Sequence, residues 1–241
     1  MKFKILLLNI EYGLDLNGSL FEYFLKGYRY LRCRKRVQSR VYMGLQKILK
    51  REKPDVCCLI EVDERQKAYL KSRDYPDLAT ANKYGGWFMA RLPKFAKKCH
   101  AVLAKEPFTV KKHYLKRGVK KLVYEIVLPN GVHLFIAHLA VLFSSVRQKQ
   151  LEDLARFTAG KGKVIVCGDF NIYKGLNELD GFIKKTGYTL ANKKSDKTFP
   201  AYRPKHPLDI FLHSKEIKEV ELKVLHDQIS DHRPVLLTVE T

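Results

Sequence analysis

Polar side chains stand at the ends of several apolar runs that would otherwise form buried strands. In the stretch VCGDFNI at 166–172, Asp169 and Asn171 follow an apolar run and a glycine. Residues two apart in a strand point to the same face, so these two side chains are expected to share a direction. The other members of the set are Asn9, Glu61, His138, Asp209, Asp231 and His232. Because loops at strand ends place functional groups on a rigid scaffold, the set predicts one pocket.

The residue types in this pocket suit a divalent metal ion and a phosphate. Glu61 and Asp231 supply hard carboxylate oxygens, which Mg²⁺ and Mn²⁺ prefer while they keep water and substrate phosphate as further ligands. No cluster of Cys and His has the spacing of a structural zinc site. Taken singly, each polar residue is more often a turn residue, a cap or a core histidine. It is their number that favours a functional site.

The elements that must position these residues are short strands and a few helices. A helical pattern is predicted for 36–51, for 145–159 with Ser144 as the N-cap, and for 176–186. Asn130 and Gly131 predict a two-residue hairpin turn, in which both positions need positive φ. Apolar runs predict strands at 3–10, 55–61, 99–104, 121–128, 132–139, 163–169, 208–212 and 234–239. With no repeat and no linker, the chain is expected to form a single mixed α/β domain over residues 1–241.

The order of these motifs resembles the endonuclease/exonuclease/phosphatase superfamily of deoxyribonuclease-like phosphodiesterases. The resemblance runs from about residue 4 to 239 and rests on LLLNIEYG, DVCCLIEVDE, IAHLA with RQKQL, VIVCGDFNI, HPLDIFLHS and ISDHRPVLLTV. It implies a four-layered α-β-β-α sandwich, in the α/β (α+β) class, and a metal-dependent phosphoric-ester hydrolase. Leu8 and Ile60 replace the aromatic residue and the Gln that are usual in the superfamily.

The resemblance also implies a role for each residue of the set. Asp169 would orient and deprotonate the attacking water with help from Asn171. His232, held by Asp209, would stabilise charge on the phosphate, and His138 would contact the phosphate on the leaving-group side. The implied metal ligands are Glu61, Asp231 and Asn9, and the implied cofactor is Mg²⁺, for which Mn²⁺ can substitute.

The strongly basic composition points to a polyanionic partner. The chain of 241 residues carries a net charge of +21, and its basic residues cluster with tyrosines at 28–36 and 111–121, and without them at 94–98. Phosphate neutralisation dominates nucleic-acid affinity, so DNA or RNA is the first substrate to expect. Arg117, Lys120, Tyr202 and Arg203 are candidate substrate contacts. Two alternatives stay open, namely hydrolysis of inositol phosphates or phospholipid headgroups at an anionic membrane, and a catalytically silent nucleic-acid-binding module.

Cysteine usage and the absence of long apolar segments suggest the environment. The five cysteines include the adjacent pair Cys57 and Cys58 in an apolar run, which predicts free thiols in a reducing compartment. No signal peptide and no transmembrane segment is predicted. We therefore expect a cytoplasmic protein, and a monomer.

Overall fold

The apolar runs form strands close to the predicted bounds in the computed structural model of the chain, and further strands join them. The structure describes residues 2–85 and 91–240, and the side chain of Lys94, part of a predicted basic cluster, lies outside that description. The strands are β1 (Lys2–Asn9), β2 (Val56–Asp63), β3 (Asp77–Asn82), β4 (Lys98–Ala104), β5 (Thr109–Tyr114), β6 (Leu122–Val127), β7 (His133–His138), β8 (Val164–Asp169), β9 (Thr189–Leu190), β10 (Asp209–His213), β11 (Lys218–Val224) and β12 (Val235–Glu240). The α-helices are α1 (Leu20–Lys26), α2 (Lys35–Glu52), α3 (Pro93–Ala96), α4 (Ser144–Thr158) and α5 (Asp180–Thr186).

The strands form two mixed sheets. One has the order β11-β12-β1-β2-β4-β3 and the other β5-β6-β7-β8-β10-β9. Each contains one parallel pair, β1 with β2 and β7 with β8. Parallel strands end at the same edge of a sheet. The two pairs therefore bring the ends of four strands, with Asn9, Glu61, His138 and Asp169, to one edge of the sandwich.

Three clusters of buried apolar side chains hold the layers of the sandwich together. The first lies between the sheets and includes Ile5, Cys58, Ile136 and Phe211. The second packs the apolar face of α2 on the outer side of the first sheet, and the third packs α4 and α5 on the outer side of the second. The predicted four-layered α-β-β-α sandwich is confirmed.

Three local details differ from the sequence predictions. At the β6–β7 hairpin, Leu128 N–H donates to the Val132 carbonyl, which leaves a three-residue turn in which Gly131 but not Asn130 has positive φ. Ser144 is the first residue of α4 and not its N-cap. The segment 176–186 begins as a 3₁₀ turn and becomes α-helical at Asp180.

Some elements had no clear sequence signal. β5 is mostly exposed, so its sequence TVKKHY shows no apolar alternation. α1 was not predicted, although Ser19 caps it by accepting a hydrogen bond from Glu22 N–H at 3.1 Å. In the ranges that the structure covers, no helix is long and apolar enough to cross a membrane.

Candidate active site

Asp169 lies at the centre of the group of polar residues at this edge. One of its carboxylate oxygens, Oδ2, accepts a hydrogen bond from Asn9 Nδ2 at 3.1 Å and lies 3.3 Å from His138 Nε2 and 3.9 Å from His232 Nε2. Its other oxygen accepts from Asn171 N–H at 3.2 Å. Burial alone would raise the pKa of Asp169, but the two histidines hold it well below the usual value. Asp169 is therefore a carboxylate at physiological pH.

The backbone departs from regular strand geometry at the residues that bear this site. Gly168 has φ 152°, and a Cβ there would lie 1.8 Å from the Ala137 carbonyl oxygen. Glu61 has φ 59°, in a segment of β2 where the register with β4 shifts between Leu59 and Val62. Asn171 also has positive φ, at 52°. A register shift of the kind seen at Glu61 redirects side chains next to active sites, and Glu61 and Asn171 are the two polar residues at these irregular positions.

His232 is held by a buried carboxylate. Its Nδ1 lies 2.7 Å from Asp209 Oδ2, and the Asp209 carbonyl accepts a hydrogen bond from Asn192 at 3.0 Å. Burial opposes the charged imidazolium, but the carboxylates of Asp209, Asp231 and Asp169 raise the pKa of His232 well above its ordinary value. His232 is thus a cation whose Nε2 faces Asp169, as a group that stabilises a phosphoryl oxygen requires.

Glu61 is paired with ammonium groups that the sequence did not single out as a set. Lys83, only 2% exposed, places its Nζ 2.7 Å from Glu61 Oε1 and also hydrogen-bonds the Tyr12 hydroxyl. The hydroxyl of Tyr12 donates to the same Glu61 oxygen at 3.0 Å, and Lys120 Nζ lies 3.9 Å from it. Burial alone would raise the pKa of Glu61, but the lysines and His138 hold it well below its usual value.

Lys120 and His138 are in direct contact, and burial lowers the pKa of both side chains. Lys120 Nζ lies within hydrogen-bonding distance of His138 Nε2. Burial lowers the pKa of Lys120 to about 8. Burial and the neighbouring Lys120 lower the pKa of His138 to about 4. At neutral pH, His138 is therefore an uncharged imidazole beside Asp169.

A second group of carboxyls, Glu11 and Asp231, lies under α1. Tyr23 of α1 donates its hydroxyl to Asp231 Oδ2 at 2.8 Å, and the Tyr30 hydroxyl hydrogen-bonds Glu11. The second oxygen of Glu11, Oε2, is buried and has no hydrogen-bond partner among the described residues. Burial and the neighbouring Asp231 raise the pKa of Glu11 well above its ordinary value, and Glu61 acts in the same direction.

The predicted metal ligands can be compared with these contacts. Within the described ranges, no three His, Cys, Asp or Glu side chains are arranged to hold a metal ion. The chemistry of the donor set nevertheless fits a divalent cation, because Glu11, Glu61 and Asp231 repel one another electrostatically and Glu11 presents an unpartnered oxygen. Both ends of the Asn9 amide are already engaged, with Asp169 and with Glu11 N–H at 3.1 Å. Asn9 therefore holds Asp169 in position in the folded chain.

The four predicted substrate contacts lie at three different places. Lys120 lies in the site beside Glu61 and His138, whereas Arg117 is exposed and its carbonyl accepts a hydrogen bond from Gln150 at 3.0 Å. Tyr202 and Arg203 are exposed on the loop that borders Asp231. That loop is fixed by the Ala201 N–H, which donates to the Asp231 carbonyl at 2.7 Å. Both residues are placed at the rim of the site.

Sequence reasoning missed several residues that the structure brings into the site. Glu11 stands two residues after Asn9 in the same motif, which is the one signal that could have identified it. Lys83 lies in the polar segment ANKYGG, which is typical of a solvated turn. Its burial depends on the Tyr12 ring and on Glu61, to which it is close only in the folded chain.

A cationic cavity of about 310 Å³ adjoins the site at Tyr12. Lys98 lies 3.5 Å from the centre of the Tyr12 ring and 3.6 Å from Asp63. Further basic residues that line this cavity are Arg29, Arg32, Lys35 and Arg65. The cavity is therefore suited to an anionic group of a substrate that extends beyond the reacting phosphate.

Comparison with known proteins identifies the family. Residues 38–232 match the model of the Endonuclease/Exonuclease/phosphatase family. Among curated proteins, none matches the chain. The fold is similar to that of humanized D. rerio TDP2, with a TM-score of 0.68 at 16% identity over 100% of this chain and 99% of the other. It is also similar to truncated Caenorhabditis elegans TDP2, with a TM-score of 0.69 at 17% identity over 100% and 98% of the chains.

A third similar structure is a mannosyl-6-phosphatase from Bacteroides thetaiotaomicron, with a TM-score of 0.71 at 15% identity over 99% of this chain and 100% of the other. At these identities, the structural similarities show the shared fold. The match to the family model covers most of the chain and confirms the resemblance found in the motifs. The chain belongs to the endonuclease/exonuclease/phosphatase family, whose enzymes hydrolyse phosphoric esters.

Proposed function

We propose that the chain hydrolyses phosphoric diesters by in-line attack of water, with a divalent metal ion as cofactor. This proposal depends on one observation: Asn9, His138 and His232 surround the carboxylate of Asp169 at one edge of the sandwich. Asp169 is the group to orient the water and accept its proton, and His232, kept charged by Asp209, the group to stabilise the phosphoryl oxygens. The side-chain amide of Asn171 donates a hydrogen bond to the Leu139 carbonyl at 3.1 Å, which fixes Asn171 beside Asp169.

Glu61 and Asp231, with Glu11 beside them, are the residues that would hold the metal ion. The ion would neutralise charge on the phosphate and lower the pKa of bound water. Mg²⁺ is the ion we propose, with Mn²⁺ as a substitute, because all three ligands are carboxylates. Lys83 and Lys120 place two further positive charges beside Glu61, where they can compensate the charge of a bound phosphate.

Hydrolysis of bis(4-nitrophenyl) phosphate tests the activity. We expect turnover with Mg²⁺ or Mn²⁺ and none in EDTA, and we expect Asp169→Ala and His232→Ala each to reduce kcat by a factor on the order of 10² to 10³ or more. Asp153→Asn is the matched control, because Asp153 is a buried carboxyl that pairs with Arg156 on α4, outside the site. Near-wild-type turnover in either site variant would contradict the proposed roles, and loss of activity in all three variants would indicate a folding defect.

Nucleic acid is the first substrate class that we propose. The net charge of +21 and the cationic cavity beside Tyr12 support it, because phosphates flanking the cleaved bond would find basic partners there. Binding of a labelled oligonucleotide should weaken steeply as salt is raised, and Arg32→Glu at the cavity should reduce it. An affinity independent of salt concentration would count against nucleic acid.

A phospholipid headgroup is the second candidate, favoured by one specific observation. Leucine and phenylalanine side chains are exposed around the site, including Leu20, Phe24 and Leu142. Aliphatic side chains contribute little to the binding of a phosphate backbone, whereas they insert readily into the apolar part of a bilayer. Release of phosphorylated headgroups from mixed micelles, measured beside nuclease activity on single-stranded and duplex DNA and RNA, distinguishes the two substrate classes.

A further inference from the structure

The outer face of α1 is apolar and exposed. Leu20, Phe21, Phe24 and Leu25 recur at the spacing of one helical face, and Leu31 follows the 3₁₀ turn Gly27–Tyr30 beyond the helix. Leu20 and Phe24 are each 87% exposed and Leu31 is 81% exposed. Single exposed apolar residues are ordinary, but a continuous stripe of this kind marks an interaction surface.

The inner face of α1 is fixed to the candidate active site. Tyr23 donates to Asp231 at 2.8 Å, and Tyr30, just beyond the helix, hydrogen-bonds Glu11. Glu22 accepts a hydrogen bond from Asn17 N–H at 2.8 Å, which fixes the entry to the helix. The exposed stripe is therefore the outer side of a well-anchored element at the rim of the site.

A second apolar projection follows β7 at the same edge. Leu142 and Phe143 stand four and five residues after His138 and are 73% and 69% exposed. Arg147 of α4 holds this loop, because its guanidinium donates to the carbonyls of residues 140–142 at 3.0 to 3.2 Å. The loop is thus a fixed projection whose apolar side chains have no cover among the described residues.

The charge around α1 is strongly positive. Residues 14–40 contain seven basic residues and two acidic ones, and both acidic side chains, Asp15 and Glu22, are already in ion pairs. Arg32, Arg34, Lys35 and Arg36 are exposed directly after the apolar stripe. An apolar stripe beside uncompensated basic residues is the composition of a surface that lies in the headgroup region of an anionic bilayer.

The other occupants of this face fit less well. A nucleic acid would pair with the basic residues but would leave Leu20, Leu25 and Leu31 against water, because aliphatic side chains offer no stacking surface for bases. A second copy of the chain would bring the same positive surface to itself, and like charges placed together cost several kcal/mol. An anionic lipid surface satisfies the apolar and the basic groups at once.

We propose that α1 and the Leu142–Phe143 loop form a docking surface for anionic phospholipid membranes, with the apolar side chains inserted among the headgroups. This inference does not rest on the proposed catalytic activity, and it holds whichever ester the site cleaves. Because α1 lies against the carboxyl groups of the site, docking would bring the mouth of the site close to the membrane surface.

Sedimentation with vesicles tests the docking surface. The chain should pellet with vesicles of phosphatidylcholine and phosphatidylglycerol, and much less with vesicles of phosphatidylcholine alone. The double variant Leu20→Ser with Phe24→Ser should lower the partition coefficient by about tenfold or more. Met43→Ser is the matched control, because Met43 is an exposed apolar side chain on α2 and should leave the partition unchanged. Raising the salt concentration should weaken vesicle binding of the wild type and of Met43→Ser, because salt screens the attraction between the basic residues and the anionic lipids.

Each outcome is informative. Equal pelleting of the double variant, or no pelleting of the wild type with the anionic vesicles, overturns the proposal. Concentration-dependent dimerisation that the double variant abolishes, seen without vesicle binding, would assign the stripe to a second copy and also overturn it. Oligonucleotide binding that the double variant abolishes, again without vesicle binding, would assign the face to nucleic acid. Turnover of bis(4-nitrophenyl) phosphate without vesicles should be equal in all variants, so a failure of the activity and a failure of docking are distinguishable.

Discussion

Substituting Gly168 by alanine should be among the most damaging single changes in the chain. An added Cβ would lie 1.8 Å from the Ala137 carbonyl oxygen and 2.8 Å from its carbon, against an ordinary contact of at least 3.4 Å. Gly168 and Ala137 are register partners in the parallel pair β7–β8, so neither strand can yield without opening the ladder. The left-handed φ adds about 1–3 kcal/mol of strain for an L residue. With the lost ladder hydrogen bonds, we expect a total cost of about 4–5 kcal/mol.

Urea denaturation followed by circular dichroism measures this cost. The matched control is Gly162→Ala, because a Cβ at Gly162 meets nothing within 4 Å, and we expect a change of no more than about 0.5 kcal/mol there. Protein that remains folded should also lose activity, since Asp169 follows Gly168 directly and its contacts with Asn9 and His138 would be displaced. A Gly168→Ala variant within about 1 kcal/mol of the wild type, with full turnover, would refute the steric reasoning.

Two further predictions concern buried carboxylates. Asp209→Asn removes the carboxylate charge that lies 2.7 Å from His232 Nδ1. The kcat on bis(4-nitrophenyl) phosphate should therefore fall by a factor on the order of 10² to 10³, while the control Asp153→Asn keeps its activity. Equal activity in the two variants would show that the Asp209–His232 pair has no role in turnover. Glu125 is buried, which by itself raises its pKa, but Lys161 and two histidines lower the pKa to about 2 from 4.5. Because the folded pKa lies below the unfolded one, this group stabilises the fold above pH 4.5, and the free energy of unfolding should fall by up to ~3 kcal/mol as the pH drops toward 2. Urea titrations across this range should show a shallower pH dependence for Glu125→Gln, and an unchanged slope would contradict the assignment.

The sequence predicted most of the buried strands, because buried positions are occupied by apolar residues. Strands buried on both sides, such as β2 and β8, are continuous apolar runs that end in a polar residue. The same rule singled out Asp169 and Glu61, because polar side chains at the ends of several such strands, taken together, favour a functional site. Exposed or edge strands such as β5 have no continuous apolar run and were not predicted.

Residues whose burial arises from tertiary contacts were not predictable in the same way. Lys83 stands in a polar turn, and only the packing of the folded chain encloses it between Glu61 and the Tyr12 ring. The orientation of α1 is similar, because its more apolar face points outward, against the usual rule that a helix buries its apolar face. That choice is made by two phenol hydroxyls that reach buried carboxyls, Tyr23 to Asp231 and Tyr30 to Glu11.

Tyr23 and Tyr30 would couple cation binding at the proposed metal site to the position of α1. Each hydroxyl bonds one carboxylate oxygen of Asp231 or Glu11, two of the residues that we propose hold the metal ion. An ion that displaced these hydroxyls would loosen α1, and any contact that shifted α1 would change the affinity for the ion. Such coupling is reciprocal, so each event must alter the free energy of the other by the same amount. Comparing ion affinity with and without an occupant on the outer face of α1 would therefore measure both effects at once.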